Sequence, residues 1–118
     1  DMLEALRYSH FLKDTGRMVV NRHMVVPTSV YVQKLSLPSE EEIVSLLAKD
    51  LCLIDADAIA REAGSPLAAN VVMLGAASHH MPLTADSLAR AIERLVPPNT
   101  VVINTKAFEL GRAAGETC

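Results

Sequence analysis

The stretch of residues 67–77 places the strongest constraint on the fold, because Asn70 is its only side chain that can form hydrogen bonds. Ser65 and Pro66 stand just before it and are typical of an N-cap and of the first position of a helix. A helix that is apolar on all sides is buried on most of them. A chain of 118 residues rarely encloses a whole helix. We therefore expect this helix either at the centre of a larger domain or against a partner.

Two short apolar runs, residues 17–21 and 51–54, are predicted to be buried strands because β-branched and aliphatic side chains dominate them. Residues 30–32 are interpreted as a short extended segment. Helical spacing of apolar residues predicts helices over residues 2–13, 39–49, 56–63, 67–77, 85–96 and, where strand propensity competes, 100–114. Helices alternating with strands indicate an α/β fold. So few strands make a thin sheet, which favours the second half of a larger α/β domain.

The ends of several predicted helices carry residues with a defined local role. Ser39 and Glu42, three residues apart, predict a capping box at the start of one helix. Asp55 is predicted to cap the helix that follows it, and Gly64 to end that helix. Gly16 is predicted to end the first helix in a left-handed conformation.

Charge and composition exclude several classes of protein. The formal net charge is −3 and the isoelectric point about 5.8, whereas a nucleic-acid surface needs a strongly basic balance. No run reaches the roughly 18 apolar residues that span a membrane, and the first residues lack the layout of a signal peptide. Two cysteines are too few for a disulfide scaffold. Cys52 is interpreted as a small buried hydrophobe in a reducing cytosol, so we expect a cytoplasmic protein.

The polar residues predict no self-contained catalytic site. His79 and His80 are adjacent, so on a helix they point about 100° apart and cannot comfortably bind one metal ion. We therefore predict no metal site. Asp55 and Asp57, at the end of a predicted strand, allow two interpretations: a magnesium pair, or a helix cap followed by a first-turn acid. The cap is favoured.

Two glycines and one amide complete the candidates. Gly75 and Gly111 lack the spacing of a dinucleotide loop or a phosphate loop and are predicted to allow close packing of helices. Asn70 is the best single polar candidate. We expect it to be buried within its helix, where it must find partners in its own core, on a ligand or on a neighbouring subunit.

Short sequences along nearly the whole chain occur in the order in which one known family has them. They are residues 3–8 (LEALRY), 11–13, 16, 19–21, 54–56, 59–60, 62–64, 68–76 (AANVVMLGA), 104 and 106–111 (KAFELG). With them the chain resembles the gamma-type domain of 2-oxoacid:ferredoxin oxidoreductases. Residues 7–13 (RYSHFLK) and 26–30 (VPTSV) are most similar to the beta subunit of the indolepyruvate enzymes in that family.

The resemblance implies a Rossmann-like three-layer α/β domain, of which residues 1–118 are the C-terminal part. The family's domain begins with a Gly-rich strand, turn and helix, and this sequence has no counterpart of them. The N-terminal βα portion is therefore expected to be missing from these residues.

The resemblance also implies a reaction, in which the isolated chain is expected to be inactive. A 2-oxoacid, in the indolepyruvate case an arylpyruvate, reacts with coenzyme A to give an acyl-CoA, carbon dioxide and reduced ferredoxin. Thiamine diphosphate with Mg²⁺ and iron–sulfur clusters supply the chemistry. The chain has no thiamine signature and too few cysteines for a cluster. These cofactors are therefore expected on a large partner subunit, through which the complex meets ferredoxin.

Five residues are candidates for sites in such a complex. His79, His80 and Glu109 are candidates for the surface that faces the partner. Asn70 and Arg112 are candidates for contacts with CoA, Arg112 through a phosphate. Arg112 is also explained as a solvated cation near a helix end. Two rival functions stay open: a stand-alone α/β module that binds CoA or a nucleotide, and an interaction domain that forms a homodimer through the apolar helix.

Overall fold

The computed structural model describes residues 1–47 and 51–118. The elements are α1 (Met2–Tyr8), β1 (Met18–Asn21), α2 (Thr28–Gln33), α3 (Glu40–Leu47), β2 (Leu51–Ile54), α4 (Ala56–Ala63), α5 (Ala69–Ala77), α6 (Ala85–Leu95) and α7 (Val101–Glu116). The two predicted strands are confirmed, and so is the helical prediction for residues 100–114. The predicted end of the helix at residue 49 lies outside the described residues.

A small parallel sheet lies between two layers of helices. β1 and β2 pair in parallel, with Val19 beside Cys52. On one face Val20 packs against α1 and α3. On the other face Cys52 and Ile54 pack against α4, α5 and α7. The predicted α/β class is confirmed, although the described part is mostly helical and its sheet has only two strands.

α5 and α7 lie so close together that their contact requires glycine. A Cβ atom at Gly111 would overlap the backbone of Val72, and one at Gly75 would overlap the backbone of Phe108. Since these neighbours are backbone atoms, no side-chain rotation could relieve the overlap. The predicted role of Gly75 and Gly111 in close helix packing is confirmed.

Burial of the apolar helix is confirmed for α5 but not for the residues before it. Every α5 residue except Asn70 is at least partly buried. Residues 66–68 instead form a 3₁₀ turn, in which Leu67 is 90% exposed. Asn70 therefore lies in the first turn of α5 and is exposed, so the expectation of a buried amide in the middle of a helix is wrong.

The predicted caps form as expected because each depends only on neighbouring residues. The Ser39 hydroxyl accepts a hydrogen bond from the Glu42 backbone N–H (3.2 Å), and the Glu42 carboxylate accepts one from the Ser39 N–H (2.7 Å). Asp55 Oδ1 accepts from the Ala58 N–H at 2.8 Å. Gly64 ends α4 with φ +121°, a conformation that favours glycine.

Three predictions near the start of the chain are wrong. The first helix ends at Tyr8 and continues only as a 3₁₀ turn, Ser9–Phe11. Gly16 does not have a positive φ; its N–H donates to the Lys13 carbonyl at 2.8 Å in an ordinary turn. Residues 30–32, interpreted as extended, lie in α2. No strand of the described chain lies beside them, and helical hydrogen bonds satisfy their backbone instead.

The interpretation of Cys52 as an unpaired thiol is also wrong. Cys52 forms a disulfide with Cys118, with the two Cα atoms 5.2 Å apart. Its predicted burial is confirmed, with 3% of the residue exposed. Arg17 Nη1 donates to the Cys118 carbonyl at 3.0 Å, which further holds the end of the chain. Because the expected reducing compartment was inferred from unpaired cysteines, the cytoplasmic location stays a prediction.

Candidate functional site

The carboxyl ends of β1 and β2 bring the first group of polar side chains together. β1 ends at Asn21, Asp55 directly follows β2, and Asp57 lies in the first turn of α4. Because both strands run in the same direction, these residues meet at one edge of the sheet, where open α/β sheets usually bind ligands.

Asn21 connects the end of β1 to the start of α4. Its Oδ1 accepts a hydrogen bond from the Ala56 N–H at 2.9 Å, and its Nδ2 donates to Asp57 Oδ2 at 3.1 Å. His23 Nδ1 lies 3.2 Å from the same carboxylate oxygen. Sequence patterns alone do not predict this group. Their only indication of it is that Asn21 ends one predicted strand and Asp57 follows the other.

The magnesium interpretation receives no support from the positions of the two acids. Asp55 is occupied as the N-cap of α4, which confirms the cap interpretation, and Asp57 is engaged by Asn21 and His23. Within residues 1–47 and 51–118, no group of three or more His, Cys, Asp or Glu side chains could hold a metal ion.

Replacing Asn21 with alanine is expected to lower the free energy of unfolding by about 1–2 kcal/mol, because it leaves the Ala56 N–H without its partner. Chemical denaturation measures this loss. The matched control is Asn70→Ala, since Asn70 is exposed and, among residues 1–47 and 51–118, its side chain bonds only to the adjacent Val71 N–H. The control should change stability by less than about 0.5 kcal/mol. Equal effects of the two variants would contradict a bridging role for Asn21.

A second polar group lies where the end of α5 meets α7. His79 Nε2 donates to the Arg112 carbonyl at 2.9 Å. Arg112 Nη1 donates to the hydroxyl of Ser78 at 2.7 Å, and this buried hydroxyl donates to the Gly75 carbonyl at 2.6 Å. The bond to Ser78 holds the Arg112 side chain, which makes no ion pair within the described residues.

The five candidate residues therefore do not form one site. Arg112 and Glu109 line a cavity of about 200 Å³ between α6 and α7, and His79 is bonded to the same turn of α7. His80 is exposed and makes no hydrogen bond to this group within the described residues. Asn70 lies elsewhere, on a groove beside β1.

The groove beside β1 is the third candidate surface, with a volume of about 520 Å³. β1 forms its floor, α1 forms one wall with Ala5 and Tyr8, and α5 forms the other with Asn70 and Met73. Asn21 connects this groove to the polar group at the carboxyl edge.

Two further features of the described residues are the length of the helices and the exposure of the ion pairs. None of the described helices is both long enough and apolar enough to cross a membrane. The ion pairs at Glu4–Arg7 and Glu40–Arg22 are exposed, and such pairs contribute little to stability.

Comparison with known proteins gives a consistent result. The chain is 35% identical to the indolepyruvate oxidoreductase subunit IorB of Pyrococcus horikoshii, and 33% identical to those of Thermococcus kodakarensis and Archaeoglobus fulgidus. These alignments cover 97%, 97% and 92% of this chain and 59%, 59% and 56% of the relatives. The chain thus spans about three fifths of their length. No solved structure matches it.

The match to a protein family covers almost every residue. Residues 1–114 match the family described as pyruvate ferredoxin/flavodoxin oxidoreductase. The resemblance drawn from the short sequences along the chain is thereby confirmed. The chain belongs to the pyruvate ferredoxin/flavodoxin oxidoreductase family.

Proposed function

We propose that this chain is part of a subunit of a 2-oxoacid:ferredoxin oxidoreductase that acts on indolepyruvate or a related arylpyruvate. The family match over residues 1–114 carries this proposal. The relatives named as indolepyruvate oxidoreductase subunits favour the aromatic substrate. The proposed reaction converts the 2-oxoacid and CoA to an acyl-CoA and carbon dioxide, with the electrons passing to ferredoxin.

The donor set of this chain does not fit the cofactors of that reaction. An iron–sulfur cluster needs about four thiolate ligands, and the only two cysteines are bonded to each other. Asp55 and Asp57 are engaged within the protein, so they do not form a ready Mg²⁺ site for thiamine diphosphate. We assign these cofactors to a partner subunit and route no step of the reaction through residues 1–118.

We also assign residues 1–118 to the C-terminal part of one Rossmann-like domain. A parallel sheet with helices on both faces supports this assignment, as does the two-stranded sheet, which is smaller than an independent domain normally has. The chain covers about three fifths of the relatives' length, which agrees only with its being part of a longer protein.

The end of the α5–α7 pair is the proposed surface for the partner subunit. It presents His79, His80 and Glu109, with Arg112 held in place beside them. Asp86 and Glu109 line the same cavity as Arg112, and their negative charge opposes a CoA phosphate there. We therefore assign Arg112 to the partner surface. Asn70 lies away from it and is not part of it.

Purification of the complete protein from its own anaerobic lysate tests this function. We expect a large subunit containing thiamine and iron to copurify in equal amount, identified by mass spectrometry and by thiamine and iron assays. Arg112→Ala should weaken this association, whereas Arg61→Ala, an exposed arginine on α4, should not. If the protein purifies alone and instead binds CoA or a nucleotide by itself, the stand-alone binding module is the correct function. A homodimer without ligand or partner would favour the interaction domain.

A further inference from the structure

The disulfide joins the end of α7 to the sheet. Cys52 lies within β2 and is 3% exposed, whereas Cys118 lies two residues beyond α7 and is exposed. A thiol in solution therefore reaches the bond from the Cys118 side. Exposure of this kind is typical of disulfides that are labile or regulatory. The position of the bond fits one that opens and closes while the protein stays folded.

Without the disulfide, the last turn of α7 is held by contacts that bury little side-chain surface. Gly115 packs closely against the backbone of Ala76, but glycine has no side chain to bury and disfavours a helix. The residue that follows it in α7 is exposed. The bond from Arg17 Nη1 to the Cys118 carbonyl is exposed as well. We therefore expect the last turn to open locally when the disulfide is reduced.

The proposed partner surface includes residues of this same turn and of the turn before it. The Arg112 carbonyl accepts a hydrogen bond from His79 Nε2, and in a regular α-helix it also accepts one from the Glu116 N–H. Opening the last turn removes the second of these bonds. It also loosens the packing of Gly115 on α5, two residues before the Ser78 hydroxyl that holds the Arg112 side chain. The order of the last turn is thereby coupled to the partner surface.

We propose that the Cys52–Cys118 pair is a redox switch for partner binding. The disulfide form presents an ordered surface to the partner subunit, and the dithiol form presents a loosened one. The inference rests on the proposed function, in which the end of the α5–α7 pair faces the partner. A surface that is already ordered binds more tightly, because less freedom is lost on association. Coupling between two sites commonly changes affinity by about 5–150-fold, and we expect about tenfold here.

The switch opens by exchange with a dithiol reductant. A thiolate of the dithiol attacks the exposed sulfur of Cys118 and forms a mixed disulfide there, while Cys52 leaves as a thiolate and takes up a proton. The second thiolate of the dithiol then closes onto the first, which releases Cys118 as a thiol. In all, two electrons and two protons pass to the pair, and the dithiol becomes a disulfide. The reverse exchange with an oxidised dithiol closes the bond.

Trapping with a monothiol of known mass tests this route. Brief treatment of the native, complete protein should place the monothiol on Cys118 and leave a free thiol at Cys52, as located by peptide mass spectrometry after acid quenching. A monothiol found on Cys52 instead would contradict the proposed route. Labelling that occurs only in denaturant would show that the bond is purely structural. Either result overturns the proposal.

Residue-resolved amide hydrogen exchange tests the effect of the bond on α7. In the reduced protein, the Gly115 and Glu116 amides should exchange at least about tenfold faster than in the disulfide form. The matched control is the amide of Val72, which lies in the core with 0% exposure and should not change. Equal exchange at Gly115 in the two forms would overturn the proposal. So would an equal rise at Val72, because the bond would then maintain the whole fold and not its last turn.

Affinity for the large partner subunit tests the switch itself. Reduction should weaken binding about tenfold, and reoxidation should restore it. Cys118→Ser should bind like the reduced protein and should not respond to the dithiol, which excludes an effect of the dithiol on the partner. Equal affinity of the two forms would overturn the switch and keep the proposed function. If neither form binds a partner, the proposed function and the switch both fail, whereas the exchange experiment still shows whether reduction opens α7.

Discussion

Gly111→Ala is expected to lower the free energy of unfolding by about 3 kcal/mol, because its Cβ would overlap the backbone of Val72 and force α5 and α7 apart. Helix propensity acts in the opposite direction, since alanine is favoured over glycine by about 1 kcal/mol within a helix. The sign of the measured change therefore distinguishes the two effects. Chemical denaturation of the wild-type protein and the variant measures it.

The matched control lies two residues further along the same helix. Ala113 is exposed, so Ala113→Gly tests only helix propensity and should cost about 1 kcal/mol. Gly111→Ala should exceed this cost although it makes the reverse substitution. An unchanged or increased stability of Gly111→Ala would show that α5 and α7 are not in such close contact.

Local features of the fold could be predicted because adjacent residues determine them. The Ser39–Glu42 capping box and the Asp55 cap each join backbone and side-chain groups three residues apart. The end of α4 at Gly64 could be predicted because the helix ends with a positive φ, a conformation that favours glycine. For the same reason the positions of the two strands could be predicted, since β1 has three apolar residues before Asn21 and β2 has four before Asp55.

The predictions from local sequence patterns were wrong at Gly16 and at residues 30–32. Gly16 lies in an ordinary turn without a positive φ, in which its N–H donates to the Lys13 carbonyl. Strand propensity at residues 30–32 was overruled because β-branched residues form strands only where a neighbouring strand can pair with them. The conformation of residues 30–32 therefore depends on what surrounds the segment and not on its own propensity.

For the candidate sites, too, single residues could be identified from the sequence, but contacts between distant residues could not. His79 and Arg112 were identified singly, but their contact spans 33 residues and the sequence gives no sign of it. The Asn21–Asp57–His23 group was missed because its members come from different elements and only the parallel sheet brings them together. Asn70 was misjudged, since its burial depended on where α5 begins.

Reduction of the Cys52–Cys118 disulfide is expected to lower the free energy of unfolding by about 4 kcal/mol, the second large effect. The bond joins residues that are 66 positions apart, and opening so long a loop returns much conformational freedom to the unfolded chain. Denaturation with and without a phosphine reductant measures the loss.

Cys118→Ser removes the cross-link with little other change, because Cys118 is exposed and its replacement leaves the core intact. A serine at position 52 would instead bury a hydroxyl beside Ile54. Cys118→Ser should be as unstable as the reduced wild-type protein and should not respond to reductant. Because the Arg17 bond to the Cys118 carbonyl survives the substitution, any remaining stability of the last turn of α7 reports that bond and the packing of Gly115 on Ala76.

Two thiols that react with an alkylating agent in the native, unreduced protein would contradict the disulfide. That result would show that Cys52 is the unpaired, buried thiol that its apolar sequence neighbours predict.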